Sequence, residues 1–315
     1  MIISCSRRTD IPALYADWLF RRVRAGFACV RNPMNPRQVS RIGLTLDVAD
    51  GFVFWTKNPA PMLPRLHELS EYMYYFQFTL TPYGKDIEPN LPVKLKLLST
   101  FRQLSDRIGP ERVIWRYDPI VINRTWTLEA HLRVFETMAK ILCGATRRVV
   151  ISFVDMDYRN CKHNADTLAA EALTARERLS LAAKLKQIAR RYGMEMNACA
   201  EDVDFSLCGI APARCVDAEL FERQFGCRLS VGKDRNQRVA CGCAQSVDIG
   251  MYNTCAHGCR YCYANYNARE IVLNRIKHDP ASPLLAGEIG PRDIVYERVM
   301  RSCREDQMCF LQNAL

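Results

Sequence analysis

Cys255-Ala256-His257-Gly258-Cys259-Arg260-Tyr261-Cys262-Tyr263 sets three thiols within eight residues, spaced C-x3-C-x2-C. Soft thiolates this close together hold zinc or iron–sulfur clusters. A structural zinc closes four ligands, and here no fourth cysteine stands close by. A cubane cluster has four irons, so three cysteines leave one iron open. Gly258 supplies the freedom in φ that a loop wrapped round a cluster needs. Tyr261 can lay an aromatic ring beside whatever binds the open iron. The competing reading is a structural zinc or a disulfide knot.

Working outward, the chain has 315 residues, 49% hydrophobic and 25% charged. That suits one large globular domain, or one domain with a small cap. No apolar run is long enough to span a bilayer. The start, MIISCSRRTD, turns charged after six residues and lacks the apolar core of a signal peptide. The expected location is the cytoplasm. Fifteen cysteines in that compartment point to metal binding rather than disulfides. Nine of them fall in the 64 residues from Cys199 to Cys262, against four in the preceding 198, so the thiols are concentrated where the motif lies. Cys29 and Cys143 read as packing residues. The net charge of +10 is compatible with nucleic acid or another anionic partner. Its arginines are spread along the chain, which favours a solvated surface for most of them.

Hydrophobic patterning predicts strand, polar loop and helix in repeated succession. Strands are expected at Ile2–Ser6, Gly51–Trp55, Met73–Leu80, Arg112–Pro119, Val149–Val154, Met194–Cys199 and Ser246–Tyr252. Helices are expected over Ala13–Arg24, Met62–Leu69, Leu95–Ile108 and Thr127–Leu142, with another opened by the capping box Thr174-x-x-Glu177 and one after Tyr263. Val30 to Pro36, with two Asn-Pro turns, reads as a loop. The pattern is that of a parallel α/β sheet. A (β/α) barrel is favoured over an open sheet because no glycine-rich dinucleotide turn appears. Every unusual polar cluster ends a strand: Arg7–Asp10, Thr56-Lys57, Thr79–Thr81, Arg116–Asp118, Asp155, Cys199–Glu201 and Cys255–Cys262. Such ends carry the chemistry of barrel enzymes, so one shared site is expected. Three segments follow: 1–200 as barrel strands one to six, 201–245 as an inserted cysteine-rich subdomain, and 246–315 as the final strand, cysteine loop and C-terminal helix.

The C-x3-C-x2-C spacing, with an aromatic residue before the last cysteine, resembles the motif of the radical S-adenosylmethionine (SAM) enzymes. The resemblance implies a [4Fe-4S] cluster on Cys255, Cys259 and Cys262. Its open iron would chelate the amino and carboxylate groups of SAM. An electron from the cluster would then cleave SAM to a 5′-deoxyadenosyl radical that removes hydrogen from a substrate. A reductant such as flavodoxin or ferredoxin is the implied partner. In most of that superfamily the motif lies near the N-terminus; here it lies near the C-terminus. If the last strand is the superfamily's first, the N-terminal strand lies beside it, and the barrel is partial, TIM-like and circularly permuted.

The other strand ends resemble, in order, those of the spore photoproduct lyase branch. Its Cys-containing strand ending in Ser-Asp-Ile corresponds to Cys5 with Thr9-Asp10-Ile11. Its Thr-Lys pair corresponds to Thr56-Lys57. Its aromatic-x-aromatic-Ser strand corresponds to Phe76-Gln77-Phe78-Thr79. The resemblance assigns Lys57 and Thr79 to SAM's carboxylate end and puts Thr9, Asp10 and Gln77 among the cofactor-binding residues, with Tyr261. Arg116, with Asp118, reads either as a contact to SAM's ribose or amino group or as a structural pair. Cys5 stands where the lyase returns a hydrogen atom to its product; the competing reading is a small buried strand residue. Glu88 before Pro89 reads as a residue leading into a helix. His257 reads as a loop-shaping or hydrogen-bonding residue rather than a ligand.

Nearly the whole chain also resembles an uncharacterised bacterial family, a domain of unknown function. SCSRRTDIP, FWTKNP, FQFTLT, RYDPI, CAED, CVD, QRVACGC and SVDIGMYNTCAHGCRYCYAN carry that resemblance. The cysteines of CAE, CVD and CGC belong to its motifs. Cys199, Cys215, Cys241 and Cys243 are therefore expected to hold a second [4Fe-4S] cluster, with zinc as the runner-up. Cys208 is a possible substitute and Cys227 is expected to be unligated. The expected activity is SAM cleavage on an unknown substrate. The alternatives are nucleic-acid repair or modification of the lyase type, and a non-catalytic zinc-bound nucleic-acid-binding protein.

Overall fold

The structure, a computed structural model, describes residues 1–238 and 240–305. The last ten positions of the third segment lie outside the described residues. The strands are β1 (Ile2–Cys5), β2 (Phe27–Arg31), β3 (Gln38–Gly43), β4 (Gly51–Thr56), β5 (Met73–Thr79), β6 (Val113–Ile120), β7 (Arg148–Phe153), β8 (Glu195–Ala198), β9 (Ala211–Pro212), β10 (Ser246–Asp248) and β11 (Ile294–Glu297). The helices are α1 (Ile11–Leu14), α2 (Ala16–Ala25), α3 (Lys94–Ile108), α4 (Leu128–Leu142), α5 (Arg159–His163), α6 (Ala165–Leu168), α7 (Ala175–Arg191), α8 (Ala218–Phe225) and α9 (Ala268–Ile276). No helix among the described residues is long and apolar enough to cross a membrane.

Eight strands form one parallel sheet in the order β10-β1-β4-β5-β6-β7-β8-β9. The last of them in the chain pairs with the first, Ile2 opposite Ser246 and Ser4 opposite Asp248. Among the described residues the edge strands β9 and β10 do not pair with each other, so the hydrogen bonding stops short of a closed barrel.

Both faces of the sheet are buried, which is why its strands read as continuous apolar runs. Side chains alternate across a strand. Ile3, Cys5, Phe52, Phe54, Phe76, Trp115 and Ile151 pack against the helical layer of α2, α3, α4 and α7. Ile2, Val53, Tyr75, Ile114 and Val150 face the other way. What covers that second face is the cysteine-rich stretch, through Cys215, Val216, Phe221, Cys241 and Cys243. The stretch 201–245 thus lies against the sheet and adds β9 to it.

The helix signals act as the sequence implies. Thr174 and Glu177 form the capping box of α7, and Gly26, at φ 76°, ends α2. The residues 62–69 form a 3₁₀ helix, Leu63–Leu69. The seventh predicted strand is shorter than expected and stops at Asp248. The loop predicted from Val30 is partly a strand: β2 runs to Arg31, and the Asn-Pro turns only join it to antiparallel β3. β11 then pairs with β3, giving a separate three-stranded sheet.

Candidate functional site

In a parallel sheet every C-terminal strand end lies on one edge. Here that edge opens into a cavity of about 390 Å³ lined from all seven predicted strand ends. Both cysteine groups reach it: Cys255, Cys259 and Cys262 from the loop after β10, and Cys199, Cys215, Cys241 and Cys243 from the stretch that follows β8. Thr9, Asp10, Lys57, Thr79, Arg116 and Tyr261 also line it.

The swapped chain ends are fastened by Asp248, the last residue of β10. Its carboxylate accepts from Ser4 Oγ (2.6 Å), Ser6 Oγ (2.7 Å), the Arg7 amide (2.8 Å) and the Gly250 amide (2.9 Å). Sequence reasoning did not single this residue out; its only signal was its place in the SVDIG run before the cysteines. Asp10 makes the next join. One oxygen accepts from the Ala13 amide (3.0 Å) at the start of α1. The other accepts from the Lys57 amide (2.7 Å) and lies 2.8 Å from His257 Nε2. His257 is therefore a loop-fixing hydrogen-bonding residue, as expected.

The Lys57 ammonium lies 2.7 Å from Glu88 Oε1 and 2.7 Å from the Tyr261 hydroxyl. Two of its three donors are thereby engaged. Glu88 is not simply a residue leading into a helix. It also accepts from Thr81 Oγ1 (2.7 Å), Lys94 and Tyr261. Burial works against its charge, but Lys57 and Lys94 win and hold the carboxyl at about 2. Burial likewise pulls Lys57 down, but Glu88, Cys259 and Asp118 together outweigh it, so the amine sits above its ordinary value. Lys94 falls below its own, because burial and the neighbouring Lys57 outweigh Glu88.

The remaining predicted residues divide. Thr79 lies at the cavity wall. Thr9 is 6% exposed, and its buried hydroxyl has no hydrogen-bond partner among the described residues, which leaves a donor and acceptor in the lining. Gln77 is not in the lining; its Nε2 donates to the Cys215 carbonyl at 3.0 Å. Arg116 is paired with Asp118, and its Nη1 lies 2.7 Å from Cys215 Sγ, so it serves the second thiol group. Cys5 does not reach the cavity. It sits on the helix-facing side of β1, fully buried in the apolar core, and burial pushes its thiol well above the ordinary range. Glu201, quoted within a polar cluster but given no role, lines the cavity with its carboxyl raised by burial to about 7. Arg238, in the charged loop after Lys233, reaches the cavity and pairs with Asp155 at 2.5 Å.

Whether the residues fit a metal is a question of donor chemistry. Cys255 and Cys259 are 8% and 6% exposed. Burial pushes both thiols up, Cys259 to about 12, so each gives up a proton when a metal binds. The neighbouring side chains with ligand chemistry already have hydrogen-bond partners. His257 faces Asp10, Cys161 Sγ bonds the Tyr261 carbonyl (3.3 Å), and Asn265 turns to the Cys255 amide (3.2 Å). Among the described residues no group of three or more His, Cys, Asp or Glu is set to hold a single ion. No thiol–thiol hydrogen bond joins Cys255, Cys259 and Cys262 there. Three thiols with no fourth protein ligand among the described residues do not make the closed four-ligand site of a structural zinc. Cys208 bonds the Phe205 carbonyl (3.2 Å) and Cys227 lies 3.6 Å from Met73 Sδ, so neither joins the cavity groups.

Fold and site together define a parallel α/β protein with a thiol-lined cavity at the C-terminal ends of its strands. The family model described as a domain of unknown function, DUF1848, matches residues 2–264, and the chain belongs to that family. No curated protein matches it.

Proposed function

We propose that the protein is a cytoplasmic radical SAM enzyme built on a partial, circularly permuted (β/α) barrel. The observation that supports this most is a convergence: the three late thiols share one cavity with the Lys57 and Thr79 strand ends. These come from opposite ends of the chain, joined by the pairing of β10 with β1. The cytoplasmic part rests on the fourteen described cysteines, all of them free thiols.

When bound, a [4Fe-4S] cluster with SAM supplies reductive cleavage to a 5′-deoxyadenosyl radical. The chain's own residues do the rest. Cys255, Cys259 and Cys262 hold the cluster. Asp10 fixes the loop through His257 and sets the Lys57 backbone. Glu88 and Tyr261 orient the Lys57 ammonium at the cavity, where it meets SAM's carboxylate end. Thr79 and the buried Thr9 hydroxyl offer hydrogen bonds from the neighbouring walls. Cys5, buried on the other face of the sheet, is left out of hydrogen return.

The test is anaerobic reconstitution with iron and sulfide, followed by dithionite and SAM. 5′-Deoxyadenosine should form in the intact protein and not in Cys259→Ala. Equal amounts in both, or none in either, would end the proposal.

A further inference from the structure

A second set of sulfurs lies on the cavity wall, held by different elements. Cys199 Sγ and Cys215 Sγ are 3.4 Å apart, and Cys241 and Cys243 line the same cavity wall. The sheet fixes this group from beneath. Tyr75 and Gln77 hold the Cys215 carbonyl at 2.8 and 3.0 Å, and the Val216 amide donates to Cys243 Sγ at 3.4 Å. Arg116, 6% exposed, extends one guanidinium nitrogen to Cys215 Sγ at 2.7 Å and the other to Asp118. Asp118 in turn accepts from Ser152 Oγ.

A buried guanidinium is costly unless it faces negative charge. Asp118 offers one charge, Gln77 Oε1 lies 3.4 Å from the nitrogen that reaches Cys215, and a metal-bound Cys215 thiolate would add negative charge there. All four cysteines line the one cavity, and four thiolates are the ligand set of a cubane cluster.

We propose that Cys199, Cys215, Cys241 and Cys243 hold a second, redox-active iron–sulfur centre in this cavity, and that Arg116 raises its reduction potential by donating to the Cys215 sulfur. Hydrogen bonds to cluster sulfurs and nearby charge are recognised controls of that potential. Reduction adds one electron from an external low-potential donor, with no bond made or broken, and the guanidinium offsets the added negative charge. This assignment stands apart from SAM cleavage and is tested without it.

The full chain carrying Cys255→Ala, Cys259→Ala and Cys262→Ala, reconstituted anaerobically, isolates the second group. It should retain about four irons per chain and give a paramagnetic signal with dithionite. Adding Cys215→Ala and Cys243→Ala should remove both. In the isolating background, Arg116→Gln should lower the midpoint potential by at least a tenfold change in the reduced-to-oxidised ratio, about 59 mV for one electron. Arg116→Lys should lower it by less. Zinc without iron in the isolating variant overturns the proposal. So does a potential that is the same for arginine, lysine and glutamine. Should Arg116→Gln not fold, the iron count and the lysine variant still decide.

Discussion

Replacing Glu88 by glutamine probes the charge network beneath the candidate cofactor site. The Glu88 side chain is 1% exposed and faces two ammonium groups, Lys57 at 2.7 Å and Lys94. Its carboxyl lies at about 2 rather than 4.5. At about 1.4 kcal/mol per pH unit, that difference contributes about 3 kcal/mol at neutral pH. Breaking a buried ion pair by removing one partner costs about 3–5 kcal/mol, so the two routes agree. Glu88→Gln should therefore lose about 3 kcal/mol at pH 7 in urea unfolding of the full chain followed by circular dichroism. The sign with pH is set by the depressed value. The contribution is complete above 4.5 and disappears as pH falls toward about 2. The gap between the native protein and Glu88→Gln should thus narrow steadily below pH 4.5. Removing one cation as well, in Glu88→Gln/Lys94→Met, should recover part of the loss. A gap below about 1 kcal/mol at pH 7, the range of an exposed pair, would refute the reasoning. So would a gap that stays constant down to pH 3.

Two further substitutions read other parts of the fold. A Cβ at position 250 would lie 2.1 Å from Ser6 Oγ and 2.6 Å from Ser6 Cβ. Gly250→Ala should cost about 1–3 kcal/mol by overpacking and, by displacing Ser6 from Asp248, lower the iron bound after reconstitution. Unchanged iron and stability would show that this join does not support the cysteine loop. Thr174→Ala removes the capping box of α7, none of whose residues lines the cavity, and should cost about 1 kcal/mol in urea unfolding with iron content unchanged.

What the sequence made legible was periodicity and punctuation. Phe52 and Phe54 alternate with Val53, Tyr74 and Phe76 with Tyr75, and both sets are apolar because the sheet is covered twice. That is why the strands were visible and their spatial order inferable. The placement of the last strand beside the first rested on the motif's position, and the pairing of Ile3 with Val247 agrees with it. The hairpin of β2 and β3 was hidden because its Asn-Pro turns dominated a short stretch of mixed polarity. Glu88 was undervalued for a different reason: Lys57, Lys94 and Tyr261 are 31, 6 and 173 residues from it, and only folding shows that four elements meet there. Cys5 was left between two readings by its uncertain direction, and its place in the fold matches the small buried strand residue. Strand alternation puts it with Ile3 on the helical side, while Ser4 and Ser6 bond Asp248.

The cysteine-rich stretch gives the architecture its logic. A parallel sheet covered by helices on one face needs a cover on the other, or Ile2, Val53, Tyr75, Ile114 and Val150 would stay wet. Here the cover is the stretch that carries Cys215, Cys241 and Cys243, and it buries its own Phe221 in the process. The same contacts that complete the core therefore fix the second thiol group against β5, through Tyr75 and Gln77, beside Arg116 of β6. The first group is held at the chain ends by Asp248, Asp10 and the β10–β1 pairing, and its loop takes further bonds from Asn90, Asn160 and Cys161 in mid-chain. Disturbing the chain ends should thus empty the Cys255, Cys259 and Cys262 group while sparing the four-thiol group. Asp248→Ala is the direct case. It strips acceptors from two hydroxyls and two amides, and should lower total iron to what the isolated second group retains. Iron lost equally from both groups would mean that they are held by one frame, not two.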